Sequence, residues 1–296
     1  MRLACAIEHT NLSLANIVIR LSWMDPRCSA ESPVFTIPPG CPWRTEKVPI
    51  RSSDDPKQNH LLAALRAKGY ARLLPDLEFT PMPLGWAVYE AGVPMDYVYF
   101  PTTCIVSLLY VMENGDSAEI AIIGNDGLVG VSVFMGGDSM SSRAVVQNAG
   151  ECYRIKAKLL KKEFELGGSL QQLALRYTQT LIAQMVQTGA CNRHHTLEQQ
   201  LCRWLLLSLD RLRGNEVVMT QKLMANMLGV HRAGVTEATG KLQKDGLISY
   251  GNGRVTVLNR PKLEHRVCEC YGVVKHEIER LFAYKLPIKA ASSSIQ

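Results

Sequence analysis

The side chains best suited to chemistry fall in one short stretch of the chain. Thr220, Gln221, His231, Arg232, Thr236, Glu237 and Lys241 are donors and acceptors of the kind that meet a phosphate or a base edge. Their spacing assigns the task. Thr220 is a good helix N-cap, and Ala225 is small enough for a second helix to cross closely. Gly229 sits where the chain must turn sharply with positive φ, a conformation cheap for glycine. Val235 and Leu242 give the second helix a buried face. A small residue, a glycine four positions on and an apolar residue six after that meet the packing requirement of two helices crossing near a right angle. Residues 220–242 are therefore predicted to form a helix-turn-helix. Leu247–Tyr250, Gly251-Asn252-Gly253 and Arg254–Leu258 follow as a hairpin with a glycine-rich turn, completing a winged helix that reads duplex DNA. His231, Arg232, Thr236 and Glu237 lie on the early, exposed face of the second helix. Thr220, Gln221, Lys241 and, on the wing, Arg254 are better placed for phosphates.

Charge agrees with this reading. The net charge is +6 over 296 residues, and from Thr196 onward 15 Lys/Arg face 9 Asp/Glu, while the preceding part is balanced at 18 of each. All the excess positive charge lies with the helix-turn-helix, as expected for a phosphate-binding module joined to a part that does not touch DNA. Other chemistries find little support. The nine cysteines include no pair at C-x-x-C spacing, and an odd count within apolar runs predicts reduced thiols and a cytoplasmic protein. His194-His195 and Cys268-Glu-Cys270 are potential metal ligands, but both are predicted inside helices, where neighbours point apart, so no metal site is expected. No nucleophile–base constellation and no paired carboxylates in a glycine-rich setting suggest an enzyme, and no cofactor is indicated. No apolar run approaches the ~20 residues that span a bilayer, and Glu8 and His9 interrupt the N-terminal apolar stretch, so neither a membrane partner nor a signal peptide is expected.

The length predicts two domains. Residues 1–57 hold 7 of the 14 prolines and are expected to be a disordered extension, with at most a short helix over 12–23. Leu61, Leu62 and Leu65 fit a short amphipathic helix. Strand candidates are Val88-Tyr89, Tyr97–Phe100, Cys104–Met112, Ala118–Ile123 and Ala144–Gln147. Turn signals separate them, Asn114-Gly115 being the strongest, and together they predict a small β barrel or sandwich over 58–168. The stretch Gly124–Gly130 is glycine-rich, but no Lys-Ser or Lys-Thr follows, so it is not a nucleotide-hydrolase loop. A long helix over 169–194 carries two apolar stripes, Ala174/Tyr177/Leu181/Met185 and Leu175/Ile182/Val186/Gly189. Together they are too wide for one neighbour. One is expected to cover the β domain and the other a second copy of the helix, in a homodimer. Thr196 with Gln199 forms a capping box that ends this helix and starts another, whose Leu201, Leu205 and Leu209 face the winged helix of 195–260. Pro261 opens a last helix, to about Phe282, within a C-terminal segment 261–296 whose tail from Ala290 is expected to be disordered. The fold class is α+β.

This order of β domain, long helix, capped helix, helix-turn-helix and wing resembles the Crp/Fnr family of bacterial transcription regulators. The resemblance covers about residues 58–260 and is most specific in Thr220–Leu242 with its wing and in Gly124–Gln147. It implies a cyclic-nucleotide-binding-type β-roll, a homodimer through the long helix and a palindromic operator in double-stranded DNA. A small-molecule effector and RNA polymerase are the further partners it implies. Arg232 matches the Arg of the family's reading helix, which can hold guanine O6 and N7 or a phosphate. The neighbouring Glu of the cyclic-AMP members is Ala233 here, and their second Arg falls on Glu237, so a different operator sequence is expected.

The ligand pocket departs further. Cyclic-nucleotide-binding members carry Gly-Glu, whose Glu accepts from the ribose, and Arg-Ser/Thr-Ala, whose Arg clamps the phosphate. Here Gly130 is followed by Val131, which accepts nothing. In Ser142-Arg143-Ala144 the Arg sits one place off, a shift that in a strand sends a side chain to the opposite face. The polar pair that meets the purine falls on Met185-Val186. Gly130, Val131, Ser142, Arg143 and Met185 are thus the candidate ligand residues, and cyclic AMP is not the expected effector. Cys5, Cys28 and Cys41 are too sparse to match the iron–sulfur cysteine cluster of the oxygen-sensing members, and no residue argues for haem. The alternative left open is a small-molecule or cyclic-nucleotide binding module whose winged helix contacts protein.

Overall fold

The computed structural model describes residues 55–283. The expectations for residues 1–54, including the 12–23 helix and the thiols Cys5, Cys28 and Cys41, lie outside the described residues, as does the tail from 284. Residues 55–57, expected within the disordered extension, are structured. Asp55 Oδ1 accepts from the Lys57 N–H at 2.9 Å, and Pro56–Gln58 form a 3-10 turn with Pro56 buried. Two short helices follow, α1 (His60–Ala63) and α2 (Ala67–Leu73), the first burying Leu61 and Leu62.

The β-roll comes next. Its elements are β1 (Glu78–Met82), β2 (Ala87–Tyr89), β3 (Tyr97–Pro101), β4 (Ile105–Val111), β5 (Ser117–Ile123), α3 (Ser132–Met135), β6 (Arg143–Asn148), β7 (Gly150–Lys156) and α4 (Ala157–Glu165). The strands make two antiparallel sheets, ordered β1-β7-β3 and β2-β6-β4-β5. Every strand candidate from the sequence is present. β1 and β7 are additional, because Pro81 in one and the charged Glu151, Arg154 and Lys156 in the other mask their alternation. The Asn114-Gly115 turn joins β4 to β5, with Gly115 at φ 87°.

Helix α5 (Ser169–His194) is 26 residues long and separates its two apolar stripes. Ala174, Tyr177 and Leu181 are buried and Met185 is half-buried, with Tyr177 and Leu181 part of the β-roll core. Leu175, Ile182 and Val186 are 52%, 51% and 67% exposed. The glycine-rich stretch is where the helices dock. A Cβ on Gly127 would lie 2.4 Å from the Tyr177 hydroxyl, and one on Gly124 would lie 2.6 Å from the Arg211 side chain. Glycine is required there for close approach of the helical segment, not for a phosphate.

The Thr196–Gln199 capping box is present and starts α6 (Leu197–Leu209), whose residues Gln200–Leu209 are all buried. β8 (Glu216–Val218), α7 (Gln221–Leu228), α8 (Arg232–Lys244), β9 (Ile248–Gly251) and β10 (Arg254–Val257) complete the winged helix, its sheet ordered β8-β10-β9. Arg211 ties it to the β-roll. Its guanidinium pairs with Asp126 at 2.8 Å, both side chains being nearly buried, and donates to Leu207 O at 2.8 Å.

The C-terminal segment differs from expectation. In place of one helix from Pro261 to Phe282 there are two, α9 (Arg260–Arg266) and α10 (Cys270–Ala283). Val267 is extended (φ −71°, ψ 154°), which turns the chain so that Cys268 packs on Cys191 and α10 lies along α5. The helical spacing of Leu263, Val267, Val274, Ile278 and Leu281 runs through the break and conceals it. Likewise His195 is not helical but caps α5 in an extended conformation. Among the described residues no helix is long and apolar enough to cross a membrane.

Candidate nucleic-acid interface

The reading face is built on backbone turns that only certain residues permit. The Thr220 hydroxyl accepts from the Leu223 N–H at 3.3 Å and starts α7. Gly229 ends it in the left-handed region at φ 64°, with its N–H bonded to Asn226 O. The chain then enters α8, whose Val235, Ala238, Thr239 and Leu242 are buried against α6 and α7. This fixes which side is left out: His231, Arg232, Thr236, Glu237 and Lys241 are all exposed. The wing closes through Asn252 and Gly253 at φ 52° and 70°, the two positive values of a type I′ hairpin.

The eight sequence-predicted residues divide by what they already hold. Gln221 is half-buried; its Oε1 accepts from the Thr236 hydroxyl at 3.0 Å, and its Nε2 lies 3.4 Å from Thr239 Oγ1. The amide therefore locks α7 to α8 instead of projecting outward. Lys241 pairs with Glu237 one turn earlier at 2.8 Å. That contact raises the Lys241 pKa and lowers that of Glu237, chiefly through their mutual hydrogen bond. Arg254 pairs across the wing with Glu216. Arg232 is different. Every other described arginine after Thr196 has a side-chain or carbonyl partner, whereas the Arg232 side chain has none among the described residues.

Two supports were missed in the sequence because they are tertiary. The Tyr250 hydroxyl, from the wing, accepts from the Gln221 N–H at 3.1 Å and so caps α7 beside Thr220. Arg266, from α9, reaches both Glu198 on α6 and Asp245 at the end of α8. Lys222, in the first turn of α7, is a further exposed cation on this module.

The candidate ligand residues of the β-roll sit in a contrasting setting. Gly130 takes φ 116°, and the Val131 side chain is buried in the β-roll core. Ser142 is 2% exposed and its hydroxyl lies 3.2 Å from Tyr89 Oη. Arg143 pairs with Glu90 at 3.0 Å. Met185 packs on the same core from α5. Ser142 and Arg143 thus face neighbours within the roll, and Val131 and Met185 pack on its core. On the side of the roll toward α6, near Arg203 and Trp204, Glu119 lies 2.6 Å from Ser107 Oγ, which is 2.5 Å from Gln147. Burial pushes the Glu119 carboxyl up to about 7, against the pull of Ser107 and Arg203.

Comparison with known proteins matches both halves. Residues 82–165 match the cyclic nucleotide-binding domain, and residues 199–266 match the Crp-like helix-turn-helix domain. The chain is 25% identical over 217 residues to the global nitrogen regulator of Synechococcus elongatus, across 68% of this chain and 94% of that protein. Among solved structures it is similar to a protein from Eubacterium rectale described as a transcriptional regulator of the Crp/Fnr family. The TM-score is 0.57 at 15% identity, covering 71% of this chain and 98% of that one. It is also similar to FixK2 from Bradyrhizobium japonicum, with a TM-score of 0.55 at 16% identity, covering 65% and 98% of the two chains. At these identities the structural likeness is one of fold.

Proposed function

As a Crp/Fnr-type transcription regulator this chain binds DNA, and we propose that it does so as a homodimer on a palindromic operator, one α8 in each of two successive major grooves. The observation that carries this reading is the free Arg232 guanidinium at the start of α8, on an exposed face where Lys241 and Arg254 are already paired. A bidentate donor without a partner, at the helix end that enters a groove, suits guanine O6 and N7. His231, Thr236 and Glu237 flank it toward base edges. Lys241 and Arg254 exchange their carboxylates for phosphates, and Thr220 adds a hydroxyl at the backbone. Gln221 acts indirectly by holding the two helices in register.

Dimerisation uses the exposed stripe of α5. A signal at the β-roll reaches DNA because Tyr177 packs on Gly127 while α5 leads directly into α6, so a shift in the roll alters how the paired long helices present the two reading helices. The effector is a small molecule other than cyclic AMP. The protein works in the cytoplasm and meets RNA polymerase at its operator. The test is selection of duplexes from a random pool by the full chain. The expected product is a two-fold symmetric site with half-sites about one helical turn apart. A pool that stays unenriched, or enriches only an asymmetric site, overturns the reading.

A further inference from the structure

Four metal-ligating side chains from distant parts of the sequence converge where the long helix meets the winged helix. The sulfurs of Cys191, Cys268 and Cys270 and a ring nitrogen of His195 all lie within 4.8 Å of one another. The break at Val267 makes this possible. Cys191 and His195 are one turn apart at the end of α5, and Cys268 and Cys270 follow the end of α9. Cys191 and His195, four apart, share one face of the end of α5, whereas Cys268 and Cys270, two apart, would point to different sides of a continuous helix.

From this geometry we propose that the chain holds one zinc-class divalent cation in a tetrahedral Cys3His centre formed by Cys191, His195, Cys268 and Cys270. Spacing sets the nuclearity. With Zn–S near 2.3 Å and Zn–N near 2.0–2.1 Å, tetrahedral ligands stand about 3.8 Å apart for a sulfur pair and about 3.6 Å for sulfur and nitrogen. The structure has Cys191 Sγ 3.6 Å from Cys268 Sγ, and Cys270 Sγ 3.4 Å from His195 Nδ1. An iron–sulfur cluster divides its four ligands among two or more irons, which spreads the set wider than is seen here. Ligand softness points the same way, since thiolate with imidazole selects zinc over magnesium or calcium.

The surroundings are those of a prepared site. His195 Nε2 faces the Glu269 carboxylate at 3.3 Å, which leaves Nδ1 turned to the thiols. A carboxylate on the outer nitrogen is the arrangement that orients and strengthens a histidine ligand. The Gln187 amide donates to Cys270 Sγ at 3.0 Å. Three thiolates around a dication leave one net negative charge, and the buried Arg203, whose charge acts on Cys191, offsets it. All three cysteines are buried and His195 alone is partly open, a closed set of four without a place for substrate. Binding releases the three thiol protons to solvent.

The ligands bracket the winged helix, two before α6 and two after α9. The cation clips the base of that module and fixes α10 along α5. Glu269 is a positioning residue. None of this rests on the DNA reading, and the test reads metal, not duplex.

The full chain is purified under reductant, stripped with chelator, and titrated with Zn2+ against a metallochromic indicator of micromolar affinity. The expected result is one Zn2+ per protomer, held more tightly than by the indicator, with a raised melting temperature. Cys268→Ser and Cys270→Ser should each lose competitive binding, Glu269→Gln should weaken it about 10–100-fold, and Cys104→Ser, outside the cluster, should leave it unchanged. Cobalt substitution of the wild type needs no variant. It should give thiolate-to-metal charge transfer with the intense visible bands of a tetrahedral site. Failure of the wild type to compete, retention of full affinity in Cys268→Ser, octahedral cobalt, or a Cys191–Cys268 disulfide in the reduced preparation would each overturn the proposal.

Discussion

Two arginines in this molecule, Arg143 in the β-roll and Arg232 in the winged helix, were both expected to meet a ligand, and they live in opposite surroundings. Arg143 is paired with Glu90, and beside it the Ser142 hydroxyl meets Tyr89. Arg232 is exposed and unpaired among the described residues, on a helix whose other face is fully packed. The difference is one of internal satisfaction. A polar group already bonded inside the fold must lose that bond to take a ligand, while an exposed group loses only water. The candidate clamp of the β-roll is held in an ion pair, and the candidate reading face of the winged helix is open. The exposed stripe of α5 is a third situation, open but apolar, and calls for a protein partner in place of a polar ligand.

The comparison breaks most completely at that stripe. Ile182→Glu with Val186→Glu should give a folded monomer that loses specific DNA binding, because neither side chain is needed by the β-roll core. Sedimentation of the variant and wild type at micromolar concentration checks this. A monomeric wild type, or a variant that binds operator normally, removes α5 as the dimer contact.

The closed region should also respond to pH where the open one does not. Burial holds the Glu119 carboxyl at about 7 in the folded chain, against about 4.5 when exposed. Its pKa is raised by folding, so its contribution to stability is complete below the unfolded value and is lost as pH rises through about 7. The melting temperature of the wild type should therefore fall between about pH 5 and pH 8, and Glu119→Gln should flatten that fall. Identical pH profiles for the two proteins would show that folding does not shift the Glu119 carboxyl.

How much of this was readable beforehand follows the same division. The helix-turn-helix was legible because each constraint is local: Thr220 caps, Gly229 turns, and Val235 and Leu242 supply a buried face. The two stripes of α5 were legible for the same reason. The Arg143–Glu90 pair was not, since partners more than fifty positions apart leave no periodic trace. The end of α5 was marked by the Thr196–Gln199 capping box, whereas the break at Val267 was hidden by apolar spacing that continues across it. The glycines at 124 and 127 were visible, but their reason, the approach of Arg211 and Tyr177, is tertiary.

Within the open face, the arginine and its neighbours should separate by kind of contact. Arg232→Ala should cost about 1–3 kcal/mol per half-site and relax preference at one base position. Lys241→Ala and Arg254→Ala should weaken all sequences alike and lower the salt dependence by about one unit of slope each. Since each of these two cations is already paired with a carboxylate, about one unit is the upper limit of its share of the slope. A salt titration of operator and scrambled duplex with each variant makes the distinction. Equal loss on both duplexes in Arg232→Ala would remove it from base reading.

The smallest effect is expected from cyclic AMP itself. In the family pattern a Glu accepts the ribose hydroxyl where this chain has Val131, buried in the β-roll core. An unpaired buried hydroxyl costs roughly 1–3 kcal/mol, about 10–100-fold in affinity. The phosphate clamp is compromised independently, since Arg143 is one position out of register and held by Glu90. Calorimetry should detect no binding by the wild type at micromolar nucleotide. Glu90→Ala sharpens the test: it frees the guanidinium but restores neither the ribose acceptor nor the register. Anion affinity should rise modestly and equally for cyclic AMP and inorganic phosphate. Selective micromolar binding of cyclic AMP by either protein would mean that the β-roll rearranges around the nucleotide, and that its internal pairs are a latch on a working pocket.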